Sequence, residues 1–297
     1  MSVSIVIRCL NEEQHIGKLL DSIFIQTIEN PEVIVVDSGS TDNSLSIISR
    51  YPVTLLSIEP RDFSFGKSLN IGCNASTKEF ILIASAHVLP TNSKWIENLI
   101  QPFSDPKVAL TYGKQRGDEY TKFSEHQVLS KWFPEQSNST QENPFCNNAN
   151  SSIRKNLWES IPYNEDLTGL EDIEWAKRAI SIGHTIQYCP QAEVVHSHNE
   201  STSQIYNRYR REAIALKNIF PEENFNFYDF IKLTLSNIIN DLQIAIHQKV
   251  ISKNLVSILV FRTLQFWGTF RGFSKYSNVN SDLKKKLYYP NTKNYGK

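Results

Sequence analysis

The residues best suited to chemistry are carboxylates and imidazoles that follow short apolar runs. Asp37 ends the run 33–36 and is followed by Ser-Gly-Ser-Thr-Asp. Four β-branched residues bounded by turn residues are typical of a strand buried on both faces. In open α/β sheets, ligands bind beyond the carboxyl ends of such strands. Asp37 therefore stands where a ligand would meet it, although this stretch alone fits a ligand-free turn equally well.

Three histidines lie at similar places. His87 closes Ser85-Ala-His after the apolar run 80–84, which brings it to the same sheet edge as Asp37. His196 and His198 end a later apolar segment. Residues at i and i+2 of an extended segment point the same way, so these two can act together, or one can be buried and the other exposed.

A pair of acids, Glu171 and Asp172, opens a predicted helix that Gly183 can close. A carboxylate in this place can serve as a general base. The simpler interpretation is that both acids only favour the positive end of the helix.

The elements that must position these residues alternate between strand and helix. Asn11 can cap a helix with apolar residues at 16, 19, 20 and 23, and Ser40 or Thr41 can cap the next, with Asp42 at its positive end. This βαβαβ order predicts a parallel sheet with right-handed crossovers. The predicted strands are 3–8, 33–37, 53–58, 79–85, 108–113, 185–188 and 194–198.

Composition limits the function class. The 297 residues fit one α/β domain of about 200 residues plus a smaller helical part. Basic and acidic residues number 31 each, so nothing indicates a nucleic-acid partner. The four cysteines, 9, 73, 146 and 189, form no CxxC pair, which favours a reducing compartment. We expect no signal peptide and no apolar run of the ~20 residues that span a bilayer.

Two long segments near the C-terminus, 225–246 and 254–273, are apolar and aromatic, with Arg262, Arg271 and Lys275 interspersed. They can pack against the core or a homodimer partner. Alternatively, they can form a membrane-surface face in which aromatic residues embed and basic residues meet anionic lipid.

Five stretches in order give the chain a family resemblance. They are Ile7-Arg-Cys-Leu-Asn-Glu12, Val35-Val-Asp-Ser-Gly-Ser-Thr-Asp42, Phe63-Ser-Phe-Gly-Lys-Ser-Leu-Asn70, Leu170-Glu-Asp-Ile-Glu-Trp175 and Val195-His-Ser-His-Asn199. Over about residues 3–215 the chain resembles the family-two glycosyltransferases with the GT-A fold, especially bacterial enzymes that build surface polysaccharides. Each motif alone is weak, whereas their order and spacing together are specific.

The resemblance implies an α/β fold of the GT-A nucleotide-diphospho-sugar transferase type, with a mostly parallel central sheet flanked by helices and a C-terminal helical extension. It places the glycosyltransferase domain at 1–215 and the helical region at 216–297. The implied function is the inverting transfer of a hexose or deoxyhexose from a nucleoside diphosphate sugar to an acceptor, which is expected to be a lipid-linked saccharide. The alternative is a non-catalytic nucleotide-sugar or glycan-binding subunit. We expect a cytoplasmic protein at the inner face of the cell membrane.

The resemblance also assigns site residues. Asp172 would be the general base, with Glu171 supporting it or the acceptor. The expected donor-binding residues are Arg8, Asn11, Glu12, Asp37, Lys67, Ser85 and His87. The expected acceptor-binding residues are Asn147, Asn148, Asn150 and Trp175.

The chain departs from the family at the metal site. The family carries an Asp-x-Asp that holds a divalent metal, and here the stretch reads Ser85-Ala-His87. Mn²⁺ or Mg²⁺ prefers carboxylates, whereas imidazole suits transition metals. Three alternatives follow: His87 ligates a metal with His196 or His198, His87 hydrogen-bonds a phosphate directly, or Lys67 and other cations replace the metal. We expect activity to survive EDTA at least in part.

Overall fold

A computed structural model of the chain describes residues 2–136, 141–197 and 199–274. The chain divides into two compact units. The first comprises the described residues of Met1–Glu119, Leu129–Asp166 and Glu171–Ser197, and the second those of Tyr120–Val128, Leu167–Leu170 and His198–Lys297. Residues 202–215, which the sequence assigns to the glycosyltransferase domain, lie in a helix of the second unit.

The first unit is built on one eight-stranded sheet. The strands are β1 Val3–Cys9, β2 Glu32–Asp37, β3 Thr54–Ser57, β4 Phe80–Ser85, β5 Val88–Pro90, β6 Val108–Arg116, β7 Asn150–Arg154 and β8 Thr185–His196. Their order is β3-β2-β1-β4-β7-β6-β8-β5. The pairs among β1 to β4 and the pair β6–β8 are parallel, whereas β7 runs antiparallel between β4 and β6, and β5 antiparallel to β8. The predicted GT-A architecture is confirmed, but β7 was not predicted.

Ten α-helices lie in the described ranges. They are α1 Ile16–Phe24, α2 Ser44–Ile48, α3 Phe65–Ala75, α4 Trp95–Ile100, α5 Phe123–Trp132, α6 Lys155–Ser160, α7 Glu171–Ser181, α8 Thr202–Ile219, α9 Phe227–His247 and α10 Ile251–Phe273. The apolar face expected for α1 is fully buried. Gly183 follows α7 with φ +94°, a backbone conformation that glycine adopts readily, so the predicted helix end is confirmed.

Hydrophobic cores cover both faces of the sheet. Val33 and Val35 of β2 join one core cluster, and Ile34 and Val36 join the other. Alternate residues of a strand point to opposite faces, so an uninterrupted apolar run fills both cores. The prediction of a strand buried on both faces is confirmed, and it fixes the position of Asp37 at the strand's end.

Two of the predicted helix caps are wrong. Helix α1 begins after His15 without a side-chain cap. Asn11 instead has φ +55° and accepts the Thr41 backbone N–H at 2.8 Å, while Ser40 Oγ accepts the Asn11 N–H at 2.8 Å. These side chains tie together the loops that follow β1 and β2. Asp42 does lie at the start of α2, where it accepts a backbone N–H.

The second unit consists mainly of helices. Helices α8 and α10 pack closely because α10 carries Gly268 and Gly272: a Cβ at Gly272 would lie 2.5 Å from the Ala213 Cβ. Between α9 and α10, the buried Arg262 guanidinium donates to Asp241 at 2.7 and 2.8 Å. No helix in the described part of the chain is both long and apolar enough to cross a membrane.

Candidate active site

Strand register brings the candidate residues to one edge of the first unit. Cys9 pairs with Asp37, and Arg8 pairs with Ser85. Asn150 begins β7 opposite Ala84, and His196 ends β8 opposite Val88. The carboxyl ends of β1, β2, β4 and β8 therefore meet the amino end of β7. The predicted common edge for Asp37 and the Ser85–His87 stretch is what the structure shows.

Asp37 is a buried carboxylate with one oxygen bound and one oxygen unused. Its Oδ2 accepts the backbone N–H groups of Gly39 and Ser40, each at 3.0 Å. Its Oδ1 is buried and accepts no hydrogen bond from the described residues. A buried oxygen without a partner costs free energy that a ligand N–H or hydroxyl would recover. The arrangement is thus suited to recognising a base or ribose.

Arg8 connects the strand edge to the start of α7. Its guanidinium lies 3.3 Å from Glu171 Oε1 and stacks over the Phe65 ring, 4.8 Å from the ring centroid. Both partners are largely buried, with the Arg8 side chain 17% exposed and that of Glu171 6%. The acids that open α7 therefore belong to the same edge as β1. The sequence placed Arg8 at a strand end but gave no sign of its two partners.

Asp172 is held in one orientation by backbone groups. Its Oδ2 accepts the Asn148 N–H at 2.9 Å, and its Oδ1 accepts the Ile173 N–H at 2.8 Å. Burial, followed by the neighbouring charge of Glu171, raises the pKa of Asp172 to about 7, while the backbone hydrogen bonds and Arg8 act in the opposite direction. A carboxylate with a pKa near neutrality exchanges protons readily at physiological pH, which is what a general base requires.

The backbone before α7 is held in a sparsely populated conformation. Leu170 has φ +55°, which is unfavourable for a residue with a bulky side chain. Such strain often accompanies functional sites, where the surrounding structure enforces it.

The predicted acceptor residues divide into two groups. Asn148 adjoins Asp172, and its side-chain nitrogen is buried and donates to no described residue. Asn147 is half-buried. By contrast, Asn150 is fully buried and donates to the carbonyls of Lys114 and Ala192, so it secures the sheet instead of facing a sugar.

Trp175 is a second correction. Its side chain is fully buried in a core, and its indole N–H donates to the Ile161 carbonyl at 2.7 Å. The apolar position in the turn after Asp172 anchors α7 and cannot contact an acceptor. The motif resemblance suggested otherwise because sequence does not reveal which face of α7 is buried.

The histidines form a stacked pair. The rings of His87 and His196 lie 4.9 Å apart and 15° from parallel. The His87 Nδ1 is 2.6 Å from Glu12 Oε1, and the His196 Nδ1 is 2.7 Å from Gln115 Oε1. His15 approaches the His87 ring edge-on at 6.5 Å. His198 lies outside the described residues, so its predicted role stays a prediction.

Two predicted donor-binding residues are half-buried. Ser85 lies at the same sheet edge as Asp37, and Lys67 lies at the start of α3. Lys67 is the third residue of α3, and its backbone N–H donates to the capping Ser64 hydroxyl. Gly66 beside it packs against backbone: a Cβ there would lie 2.3 Å from the Asn164 carbonyl oxygen. Gly66 thus allows the N-terminus of α3 to approach the segment before α7. The donor-binding roles of Ser85 and Lys67 stay predictions.

Comparison with known proteins agrees with this geometry. The family described as "Glycosyl transferase family 2" matches residues 4–161, more than half of the chain. The chain belongs to glycosyl transferase family 2. This glycosyltransferase is 26% identical over 223 residues to the O-antigen chain rhamnosyltransferase RfbN of Salmonella typhimurium, covering 70% of each chain. It is 27% identical to WbaN of Salmonella anatum, also an O-antigen chain rhamnosyltransferase, covering 62% of each chain.

Solved structures show the same fold at low identity. The glycosyltransferase aligns with the mannosyltransferase PcManGT of Pyrobaculum calidifontis, solved with GDP-Man and Mn²⁺, at a TM-score of 0.60 and 18% identity, covering 98% of this chain and 88% of that one. It aligns with TarS residues 1–349 of Staphylococcus aureus, solved with UDP, at a TM-score of 0.56 and 18% identity, covering 91% and 90%.

Several residues at this edge carried no readable sequence signal. His15 lies in a helix cap, Gln115 near the end of a buried strand, and Phe65 inside a motif where only its neighbours drew attention. Each of these residues contacts a candidate site residue that lies far away in the sequence, so its position at the site could not be predicted from its own neighbours in the chain.

Proposed function

We propose that this glycosyltransferase inverts the anomeric centre as it moves a hexose or deoxyhexose from a nucleoside diphosphate sugar to a saccharide acceptor. The observation that carries the proposal is Asp172, a buried carboxylate with a pKa of about 7 at the sheet edge where ligands bind. The O-antigen chain rhamnosyltransferase relatives favour a deoxyhexose donor and surface polysaccharide synthesis, and we propose that the acceptor is lipid-linked.

The chemistry follows from one base. The acceptor hydroxyl attacks the anomeric carbon on the face opposite the diphosphate, and its proton passes to an Asp172 oxygen. The bond from the anomeric carbon to the diphosphate oxygen breaks, and the nucleoside diphosphate leaves with that electron pair. Asp37 holds the base or ribose, and the Asn147–Asn148 segment lies beside the acceptor hydroxyl. Burying an ionisable carboxylate here without using it would only destabilise the fold, which favours catalysis over the binding-subunit alternative.

Donor turnover tests the proposal. Purified protein is incubated with a panel of nucleoside diphosphate sugars and saccharide acceptors, and release of the nucleoside diphosphate is measured. We expect Asp172→Asn to lower kcat by about 10²- to 10⁴-fold, the range for loss of general-base help. The exposed Asp105, which also accepts a backbone N–H, provides the matched control Asp105→Asn. If Asp172→Asn transferred sugar at the full wild-type rate, Asp172 would not be the general base.

We also propose that the hairpin α9–α10 rests on the inner face of the cell membrane. Both helices expose apolar side chains, and outside the buried Arg262–Asp241 pair they carry basic residues and a single acid, Asp229. The exposed apolar residues include Leu235, Ile239, Ile246, Leu255, Val256 and Leu259. The basic residues are Lys232 on α9, Lys253 and Arg271 on α10, and Lys249 in the turn between the two helices. Apolar contact with added attraction to anionic lipid is typical of membrane-surface helices.

Vesicle sedimentation tests the membrane proposal. We expect binding to vesicles of anionic phospholipid at low salt, weakened by Lys249→Glu with Lys253→Glu and by Val256→Asp. The membrane proposal would be wrong if the wild-type protein did not bind these vesicles. If the wild-type protein then sedimented as a dimer, and Val256→Asp dissociated that dimer, the apolar face would instead bind a second copy of the chain.

A further inference from the structure

One exposed tryptophan is stacked on a second aromatic ring. All five tryptophans lie in the described part of the chain, and Trp132, the last residue of α5, is 49% exposed, whereas the other four are buried or half-buried. The Trp132 ring lies 4.7 Å from the Phe145 ring and 26° from parallel to it. The Lys131 ammonium lies 6.0 Å from the Trp132 ring centroid, on an exposed and flexible side chain that a ligand can displace. A large ring that is fixed by stacking and still half open to solvent is suited to receiving a ligand.

The Phe145 ring is itself held in place from several sides. It meets the Tyr112 ring edge-on, with the two centroids 5.7 Å apart, and its centroid lies 5.8 Å from that of the buried Phe133 ring. Gln141 Nε2 donates to the Phe145 carbonyl at 2.6 Å, and Gln141 Oε1 accepts the Tyr112 hydroxyl at 2.8 Å. Trp132 therefore stacks on a ring whose position is already set, so a ligand that binds the indole loses little entropy in ordering the protein.

The segment that carries Phe145 leads directly to the proposed general base. Asn148 follows Phe145 by three residues, which span at most about 11 Å. The Asn148 backbone N–H donates to Asp172 at 2.9 Å, and all of these residues belong to the first unit. The Asn148 side-chain nitrogen is buried and donates to no described residue, and Asn147 beside it is half-buried. An aromatic platform and two amides thus lie along one short segment that ends at Asp172.

The surroundings of the two rings favour a sugar over a protein or a lipid surface. A sugar ring has an apolar face of C–H groups, which the negative face of an aromatic ring attracts, and hydroxyls at its rim, which suit amides. Protein and membrane contacts instead need a contiguous apolar patch on the order of several hundred Å². The exposed residues nearest in the chain are mainly polar or charged: Lys131, Glu135 and Gln136 near Trp132, and Glu142 and Asn143 near Phe145. A single ring among polar groups fits one sugar unit better than an extended apolar surface.

We propose that Trp132, backed by Phe145, is a platform on which one sugar ring of the acceptor stacks. From there the acceptor runs along the Asn147–Asn148 segment toward Asp172. Neither aromatic ring touches the reacting atoms, so the platform contributes to affinity for the acceptor and not to bond breaking. This inference rests on the proposed glycosyl transfer and adds an acceptor site that none of the sequence motifs contains.

Steady-state transfer kinetics test the platform, with an acceptor that supports transfer in the turnover panel. We expect Trp132→Ala to raise KM for the acceptor by about tenfold, as for loss of an aromatic stacking contact and of the area that it buries. The kcat and the KM for the donor should stay at the wild-type values, because the contact is equally strong in the ground state and the transition state. Trp132→Phe keeps a flat ring and should recover part of the affinity. Calorimetric titration of the same acceptor without donor should give the same order of affinities.

The matched control is Phe24→Ala. Phe24 ends α1, is 37% exposed and stacks on the Tyr51 ring at 6.2 Å and 8° from parallel. This variant also removes an exposed, stacked ring, but from a helix that carries none of the acceptor residues, so the KM for the acceptor should not change. Thermal melting confirms that each variant folds.

The platform would be wrong if Trp132→Ala left the acceptor KM unchanged, or if it changed kcat or the donor KM as strongly as the acceptor KM. A wild-type dimer that Trp132→Ala dissociates would assign the ring to a second copy of the chain. Transfer assays separate this failure from failure of the proposed function. Transfer that does not depend on Trp132 refutes the platform and leaves glycosyl transfer standing. No transfer by wild type with any donor and acceptor of the panel, with or without Mn²⁺, refutes glycosyl transfer and the platform with it.

Discussion

The charge on Asp172 should make the protein less stable as pH rises. Its pKa is raised from 3.8 to about 7, mainly by burial and then by Glu171. A group with a raised folded-state pKa stabilises the fold when protonated, and this contribution is lost as pH rises from about 4 through 7. A rise in the pKa of Asp172 from 3.8 to about 7 corresponds to about 4 kcal/mol of folding free energy, of which about 2 to 3 kcal/mol is lost between pH 5 and pH 8.

Asp172→Asn removes the ionisation and leaves a pH-independent change. An amide offers one acceptor oxygen, so one of the two backbone N–H groups, from Asn148 or Ile173, loses its partner at a cost of about 1–3 kcal/mol. The stability of the variant relative to wild type should nevertheless improve by about 2 to 3 kcal/mol between pH 5 and pH 8. The buried charge is therefore measured by how the stability difference between variant and wild type changes with pH, and not by the size of that difference at any one pH.

Urea unfolding at pH 5, 6.5 and 8, followed by circular dichroism, measures this difference. The exposed Asp105→Asn serves as the control and should show no such trend. Wild-type kcat/KM should rise through pH 7 as Asp172 ionises to become the base. If the difference in unfolding free energy between Asp172→Asn and wild type stayed constant from pH 5 to pH 8, the raised pKa of Asp172 would be refuted. The argument that this pKa suits Asp172 to act as the general base would then fail as well.

Two further substitutions test the packing around the site and in the second unit. Gly66→Ala should destabilise by about 1–3 kcal/mol in thermal melts and raise KM for the donor, because the new methyl group would meet the Asn164 carbonyl. Gly169→Ala, which meets only ordinary contacts, should change neither. Arg262→Met leaves the buried Asp241 charge unpaired and should lower unfolding free energy by about 3–5 kcal/mol. Adding Asp241→Leu should restore most of it, and a double variant no more stable than the single one would contradict this account.

The sequence alone determined the elements whose cause is local. The apolar run before Asp37 specified a strand buried on both faces, and the 3.6-residue spacing specified α1. Strand ends in a parallel sheet meet at one edge, so the common position of Asp37 and the Ser85–His87 stretch also followed from sequence. Strand β7 did not, because its Asn-Ser-Ser residues have low strand propensity and pair with β4 and β6 only through distant neighbours.

Only the tertiary structure decided what each polar side chain does. The family resemblance assigned Asn150 and Trp175 to an acceptor, but both are fully buried and hydrogen-bonded within the core. The contact of Glu12 with His87 and the raised pKa of Asp172 arise from groups far apart in the chain. Sequence specifies residue types and local periodicity, whereas burial and electrostatic environment depend on which distant segments fold against one another.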